Sequence, residues 1–182
     1  MAAAMREDSA EVAKAGLLLL KNVAHETREL RKPPETGAAS PTQKVLPLSV
    51  VRGPRGYLEK ITHQLNGSYD RGWYDACAVM MRKLIETLII DVFEEQGMAS
   101  KIQRPTGDFV QLDALVGRVA GQASWNLSRT TKQALSDVKK LGDNSAHGRR
   151  FAAHRGDIDG LRVGFRAAVQ ELIDLGGLGS GH

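Results

Sequence analysis

Residues 72–96 read GWYDACAVMMRKLIETLIIDVFEEQ, and the way this stretch folds decides the class of the whole chain. Trp73, Ala76, Cys77, Met80, Leu84, Leu88 and Phe93 recur at helical spacing, with Met81, Ile85, Ile89 and Val92 filling positions beside them. No period-two alternation competes with this pattern, so it predicts one long helix. A helix that is apolar nearly all round must be covered on most of its faces, which places it at the centre of a helical bundle.

Working outward, residues 55–66, RGYLEKITHQLN, predict a short amphipathic helix, and GSYDRG at 67–72 predicts a turn with glycine at both ends. A loop at 97–107 leads to a third core helix over 108–121, carrying Phe109, Leu112, Leu115, Val116 and Val119. A fourth starts with Ser128 as its N-cap and turns Leu135 and Val138 inward. After a loop around 148–156, the last helix starts near Asp157 and uses Ile158, Leu161, Phe165, Val169, Leu172 and Ile173. On the N-terminal side, residues 8–31 form an amphipathic helical pattern. Five of the six prolines follow it, between Pro33 and Pro54. Proline removes backbone donors and disfavours helix for the residue before it, so this stretch predicts an extended linker. The expected organisation is all-α: an arm at 1–32, a linker at 33–54, an up-and-down bundle at 55–176 and a disordered tail at 177–182.

One cysteine, Cys77, excludes an internal disulfide and fits a reducing compartment. One Cys and five scattered His lack the paired spacing of a structural zinc site, and no cofactor motif is present, so neither metal nor cofactor is expected. Leu17–Leu20 is the longest aliphatic run near the N-terminus, and acidic residues precede it, which argues against a signal peptide or membrane span. The expectation is a cytoplasmic protein. Residues 129–166 hold nine Lys/Arg and four Asp/Glu, an excess larger than that of the whole chain. A basic segment of this kind suits a phosphate-bearing partner or a solvated helix face.

Within it, residues 139–150, KKLGDNSAHGRR, set Asp143, Asn144, Ser145 and His147 between basic neighbours. Together with GSYDRGWYDACAVMMRKLIETLIIDVFEEQG (67–97) and DIDGLRVGFRAAVQELIDL (157–175), this corner resembles the HEPN superfamily, in particular bacterial members with a G-[ND]-x-x-A-H corner. The likeness covers about 55–176, and its most specific features are the Arg82 and Glu86 pair and the LGDNSAH corner downstream. It implies a homodimer in a bacterial RNA-processing, defence or stress system, including toxin–antitoxin and antiviral functions. It also implies a metal-independent endoribonuclease motif: Arg, a polar residue, a short spacer, then His. Here Asp143 matches the polar position in the common register, but Gly142 stands where the arginine belongs. The nearest basic residue at a permitted spacing is Lys140, and a second formal match is Arg149 with His154.

Cleavage of this kind needs a base for the 2′-hydroxyl proton, a cation for the phosphorus-bound oxygens and an acid for the leaving oxygen. His147 is the candidate base or acid. Lys140 is the candidate cation, although lysine cannot match the bidentate contact of arginine. Asp143 and Asn144 are candidates for orienting the imidazole. Lys139, Arg149 and Arg150 are candidate phosphate or RNA contacts, and Arg82 and Glu86 are expected to brace the corner. The alternative for Gly142-Asp143-Asn144 is an ordinary helix end, with His147 packed against a carbonyl or Glu86. Trp73 and Trp125 are expected at a core or interface, base stacking being the other use of such rings. The rival function is a non-catalytic dimerisation or protein-interaction module that uses the arm 8–31.

Overall fold

The computed structural model describes residues 16–18, 20, 21 and 44–179. The chain divides into two units, Met1–Thr36 and Gly37–His182. Of the first, the described positions are helical, with Leu17, Leu18 and Leu20 exposed. The rest of the predicted arm, residues 33–43 of the predicted linker and the last three residues of the predicted tail lie outside the described residues.

The second unit is all-helical among the described residues: α1 (Leu48–Val51), α2 (Gly56–Asp70), α3 (Tyr74–Glu95), α4 (Leu112–Gly121), α5 (Arg129–His147) and α6 (Arg155–Gly176). Single 3-10 turns occupy Ala99–Lys101 and Ala123–Trp125, and the one extended pairing is an isolated bridge between Gln103 and Phe109. As its composition demands, α3 is the central helix and packs against α2, α4, α5 and α6. It buries Cys77, Ala78, Met81, Leu84, Ile85, Leu88, Ile89, Val92 and Phe93. Each large aliphatic side chain removed from water in this way contributes about 1.5–3 kcal/mol.

Three local expectations change. The turn expected at 67–72 is mostly helix: α2 runs through Gly67 to Asp70, and the reversal falls on Arg71–Trp73 with Gly72 at φ 72°. That positive φ is what the second glycine supplies. The stretch 44–54, expected as extended linker, is part of the core. Val45 and Leu46 are fully buried and Val51 nearly so, while Pro47 stands just before α1, where its missing N–H costs nothing. Asn66 clamps this segment, accepting from the Leu46 N–H at 3.1 Å and donating to the Leu46 carbonyl at 2.7 Å. Arg166 adds a bond to the Val45 carbonyl at 2.8 Å and another to that of Lys44.

The third change concerns the corner. No helix ends at Gly142; α5 continues to His147 and is capped by Gly148. Gly142 serves close approach instead, since a Cβ there would stand 2.5 Å from the Cβ of Arg82 on α3. The predicted N-cap is present, with the Ser128 hydroxyl accepting from the Thr131 N–H at 3.1 Å. The last helix starts at Arg155 under a His154 cap, and the Asp157 carboxylate accepts from the His154 N–H at 2.8 Å.

Candidate functional site

Where α5 crosses α3 over Gly142, the two helices and the start of α4 enclose a cleft of about 570 Å³. Its lining includes Arg82 and Glu86 from α3, Asp113 from α4, and Lys139, Asp143, Asn144 and His147 from α5, with Gly148 at one end. The α5 residues reach it together because positions four apart share a helix face. Arg82 reaches it because the glycine lets its stem pass beneath α5.

The charges in the cleft satisfy one another. Arg82 donates from Nε to Asp143 at 2.7 Å and from Nη1 to Glu86 at 3.3 Å. Lys139 Nζ stands 3.0 Å from the other Asp143 oxygen and 3.1 Å from Asp113. Partial burial works to raise the Asp143 carboxyl, but the hydrogen bonds from Lys139 and Arg82 outweigh it and hold the group below the usual carboxylate range. Hydrogen bonding to Asp143, then to Asp113, pushes the Lys139 ammonium upward. Two cations thus face three carboxylates, and both ends of Asp143 are occupied.

The predicted site residues separate into three groups. His147, Asn144, Asp143 and Lys139 share the cleft with the predicted braces Arg82 and Glu86. His147 is exposed and hydrogen-bonds neither Asp143, Asn144 nor Glu86, so neither the packed histidine nor the oriented imidazole is formed here. Lys140 is exposed and faces a different groove of about 280 Å³, with Asp137, Leu141, Phe151, Asp157 and Leu161; Asn144 lines both. Arg149 and Arg150 form an exposed turn just beyond Gly148, and His154 caps α6. The cations that line the cleft with His147 are therefore Arg82 and Lys139, and Lys140 does not join them.

Sequence reasoning missed Asp113, which reaches Lys139 from the first turn of α4. Its only signal was an acidic residue at a helix start, a common preference without functional meaning. Among the described residues no cluster of three or more His, Cys, Asp or Glu is arranged to hold a metal ion, and no helix is long and apolar enough to cross a membrane. Cys77 is buried, and that burial pushes its thiol up to about 12, which removes it as a nucleophile. Comparison with protein-family models, curated proteins and solved structures finds no match for this chain.

Proposed function

We propose that this chain is an HEPN-like, homodimeric RNA-binding module of a bacterial RNA-processing, defence or stress system, and that its cleft holds a nucleotide of RNA without cleaving it. One observation carries the reading. His147 and Asn144 open onto a polar cleft whose two cations are each already held by carboxylates. Cleavage requires positive charge free to take up the negative charge that develops on phosphorus-bound oxygens. Arg82 and Lys139 are committed to Asp143, Glu86 and Asp113, so a phosphate entering here meets no net attraction. The alternating donors and acceptors suit the edge of a base or a ribose instead. The sequence departure supports the same conclusion: the position where the family likeness calls for arginine is the glycine that lets Arg82 pass.

The test is a labelled single-stranded RNA incubated with the protein in chelator, followed by both anisotropy and end-group analysis. Binding that weakens in His147→Ala and Asn144→Ala, with no cyclic-phosphate ends, is the expected result. Cyclic-phosphate ends produced by the wild type and not by His147→Ala would establish cleavage and overturn this reading. Absence of binding at low salt would remove the RNA assignment altogether.

A second reading rests on Leu17, Leu18 and Leu20, three adjacent or near-adjacent leucines that are exposed in the N-terminal unit. Exposed aliphatic clusters of this kind mark interaction surfaces. In this reading the segment 8–31 captures another copy or another protein, and deletion of residues 1–32 changes the mass measured by light scattering. An unchanged mass and unchanged partner capture would reject it.

A further inference from the structure

Two acidic residues beside the 148–155 loop, Asp75 and Asp157, accept from its backbone, while Asp159 pairs with Arg155 and Asp137 accepts from Gln133. Asp75 accepts from the Ala153 N–H at 2.9 Å, which fastens the loop to the start of α3, and Asp157 accepts from His154. Residues 147–155 themselves contain three arginines, two histidines and no acid. Among the described residues Arg149 and Arg150 have no carboxylate partner, and both are exposed. Across the Asp75–Ala153 bond, Arg71 lies over the Trp73 ring at 5.6 Å and donates to the Gly67 carbonyl, not to an acid.

Two large aromatic side chains are exposed near the two ends of the Asp75–Ala153 bond. Trp73 is 42% and Phe151 38% exposed. Tyr57, the other exposed aromatic of the bundle, is tied through its hydroxyl to Asp91 at 2.7 Å. Trp73 and Phe151 each sit two residues from one end of the Asp75–Ala153 bond. Chain geometry therefore keeps their backbones within about 20 Å, the reach of a few nucleotides. Phe151 closes back on Gly148, its N–H bonding the Gly148 carbonyl at 3.2 Å, and Gly148 lines the cleft. Arg149, Arg150 and Phe151, exposed in the turn beyond the cleft, are thus linked through the Asp75–Ala153 bond to the segment that carries the exposed Arg71 and Trp73.

We propose that Arg71, Trp73, Arg149, Arg150 and Phe151 form a track for single-stranded nucleic acid outside the cleft, with bases stacked on the two rings and phosphates held by the guanidinium groups. The inference rests on the RNA-binding reading and adds to it the surface that bears the strand. Guanidinium groups without carboxylate partners supply the attraction that the cleft lacks, and exposed rings accept any base. A duplex cannot use the two rings, because its bases are already stacked on one another.

The experiment is a titration of the full chain with an oligouridylate of about 12 nucleotides, long enough to cross both rings. Tryptophan emission and the anisotropy of the labelled oligomer are read together. Trp125 packs edge-on against Phe93 with ring centres 4.7 Å apart, so quenching on binding is expected from Trp73. Trp73→Ala should abolish the quenching and weaken binding about tenfold, while Trp73→Phe keeps most of the affinity because it keeps a ring. Arg149→Ala with Arg150→Ala should lower the slope of log affinity against log salt by about 1.4. Oligomer binding with unquenched Trp73 and unchanged affinity in Trp73→Ala overturns the track and leaves the cleft reading standing. No binding of any kind overturns both. Equal quenching by a polyglutamate peptide or by a duplex of the same length overturns the assignment to single strands.

Discussion

Replacing Gly142 by alanine tests the crossing on which the whole site depends. The new methyl carbon would stand 2.5 Å from Arg82 Cβ, 2.8 Å from its Cδ and 3.1 Å from its Cγ. Carbon atoms in comfortable contact stand about 3.5–4.0 Å apart, so the helices must part by about 1 Å. Arg82 Cβ is fixed to the α3 backbone and cannot rotate away, so the strain falls on the buried contacts of Val138 and Leu141 beside it. Overpacking of this kind costs about 1–3 kcal/mol. Disturbing the Arg82–Asp143 pair, about one third exposed, adds about 0.5 kcal/mol. Alanine returns about 1 kcal/mol through its better helix propensity. The net expectation is a loss of about 0.5–2.5 kcal/mol, which corresponds to about 1–10 °C in Tm for a domain of this size. Gly160→Ala is the matched control, since that glycine is also within a helix but has nothing within 4 Å of an added Cβ. There the same propensity gain should stabilise by about 0.5–1 kcal/mol. Urea unfolding followed by far-UV circular dichroism measures both variants. If Gly142→Ala proves as stable as Gly160→Ala, the close crossing of α3 and α5 is wrong.

Asp143→Asn should lose about 0.5–1 kcal/mol at neutral pH, a small value because the carboxylate is about one third exposed. The folded carboxyl is held below its ordinary value, so its contribution is full above about pH 4 and disappears as pH falls through the folded value. The stability gap between variant and wild type should therefore close in acid; a gap that widens there would contradict the pairing. Asn66→Ala should cost about 2–3 kcal/mol by leaving the buried Leu46 N–H and carbonyl unsatisfied. Limited proteolysis should then cut within 44–52, and unchanged resistance would show that Asn66 does not hold this segment. Cys77, with its thiol raised to about 12, should react with a disulfide reagent far more slowly than a free thiol until urea unfolds the chain. Rapid labelling of the native protein would show that α3 is not the buried centre.

The arrangement of helices was readable wherever one pattern dominated. The apolar surface of α3 is too broad for any role but the central one, and Ser128 caps α5 as its residue type predicts. The failures came where local chemistry and long-range packing pull in opposite directions. Prolines at 41, 47 and 54 made 44–54 look extended, yet Val45 and Leu46 gain more by burial than the prolines oppose. Gly142-Asp143-Asn144 has the composition of a helix end, but Asp143 is satisfied by Arg82 from another helix and the glycine by close approach. Asp113 was invisible because its partner Lys139 lies 26 positions away along the chain.

By itself, the sequence determined the helical class and the central helix. Periodicity encodes these, because burial of an apolar stripe requires only that the stripe exist. It also placed His147, Asp143, Asn144 and Lys139 on one stretch of chain, where four-residue spacing aligns Lys139, Asp143 and His147 on α5 and Asn144 lies three positions before His147. Tertiary structure alone decided which cations accompany the histidine. Lys140, one position from Lys139, turns into another groove because successive residues on a helix point about 100° apart. Arg82 enters from α3 in its place, and the carboxylates that neutralise it arrive from α3 and α5. Charge balance in a cleft depends on which side chains meet across helices, and no spacing within a single helix specifies that.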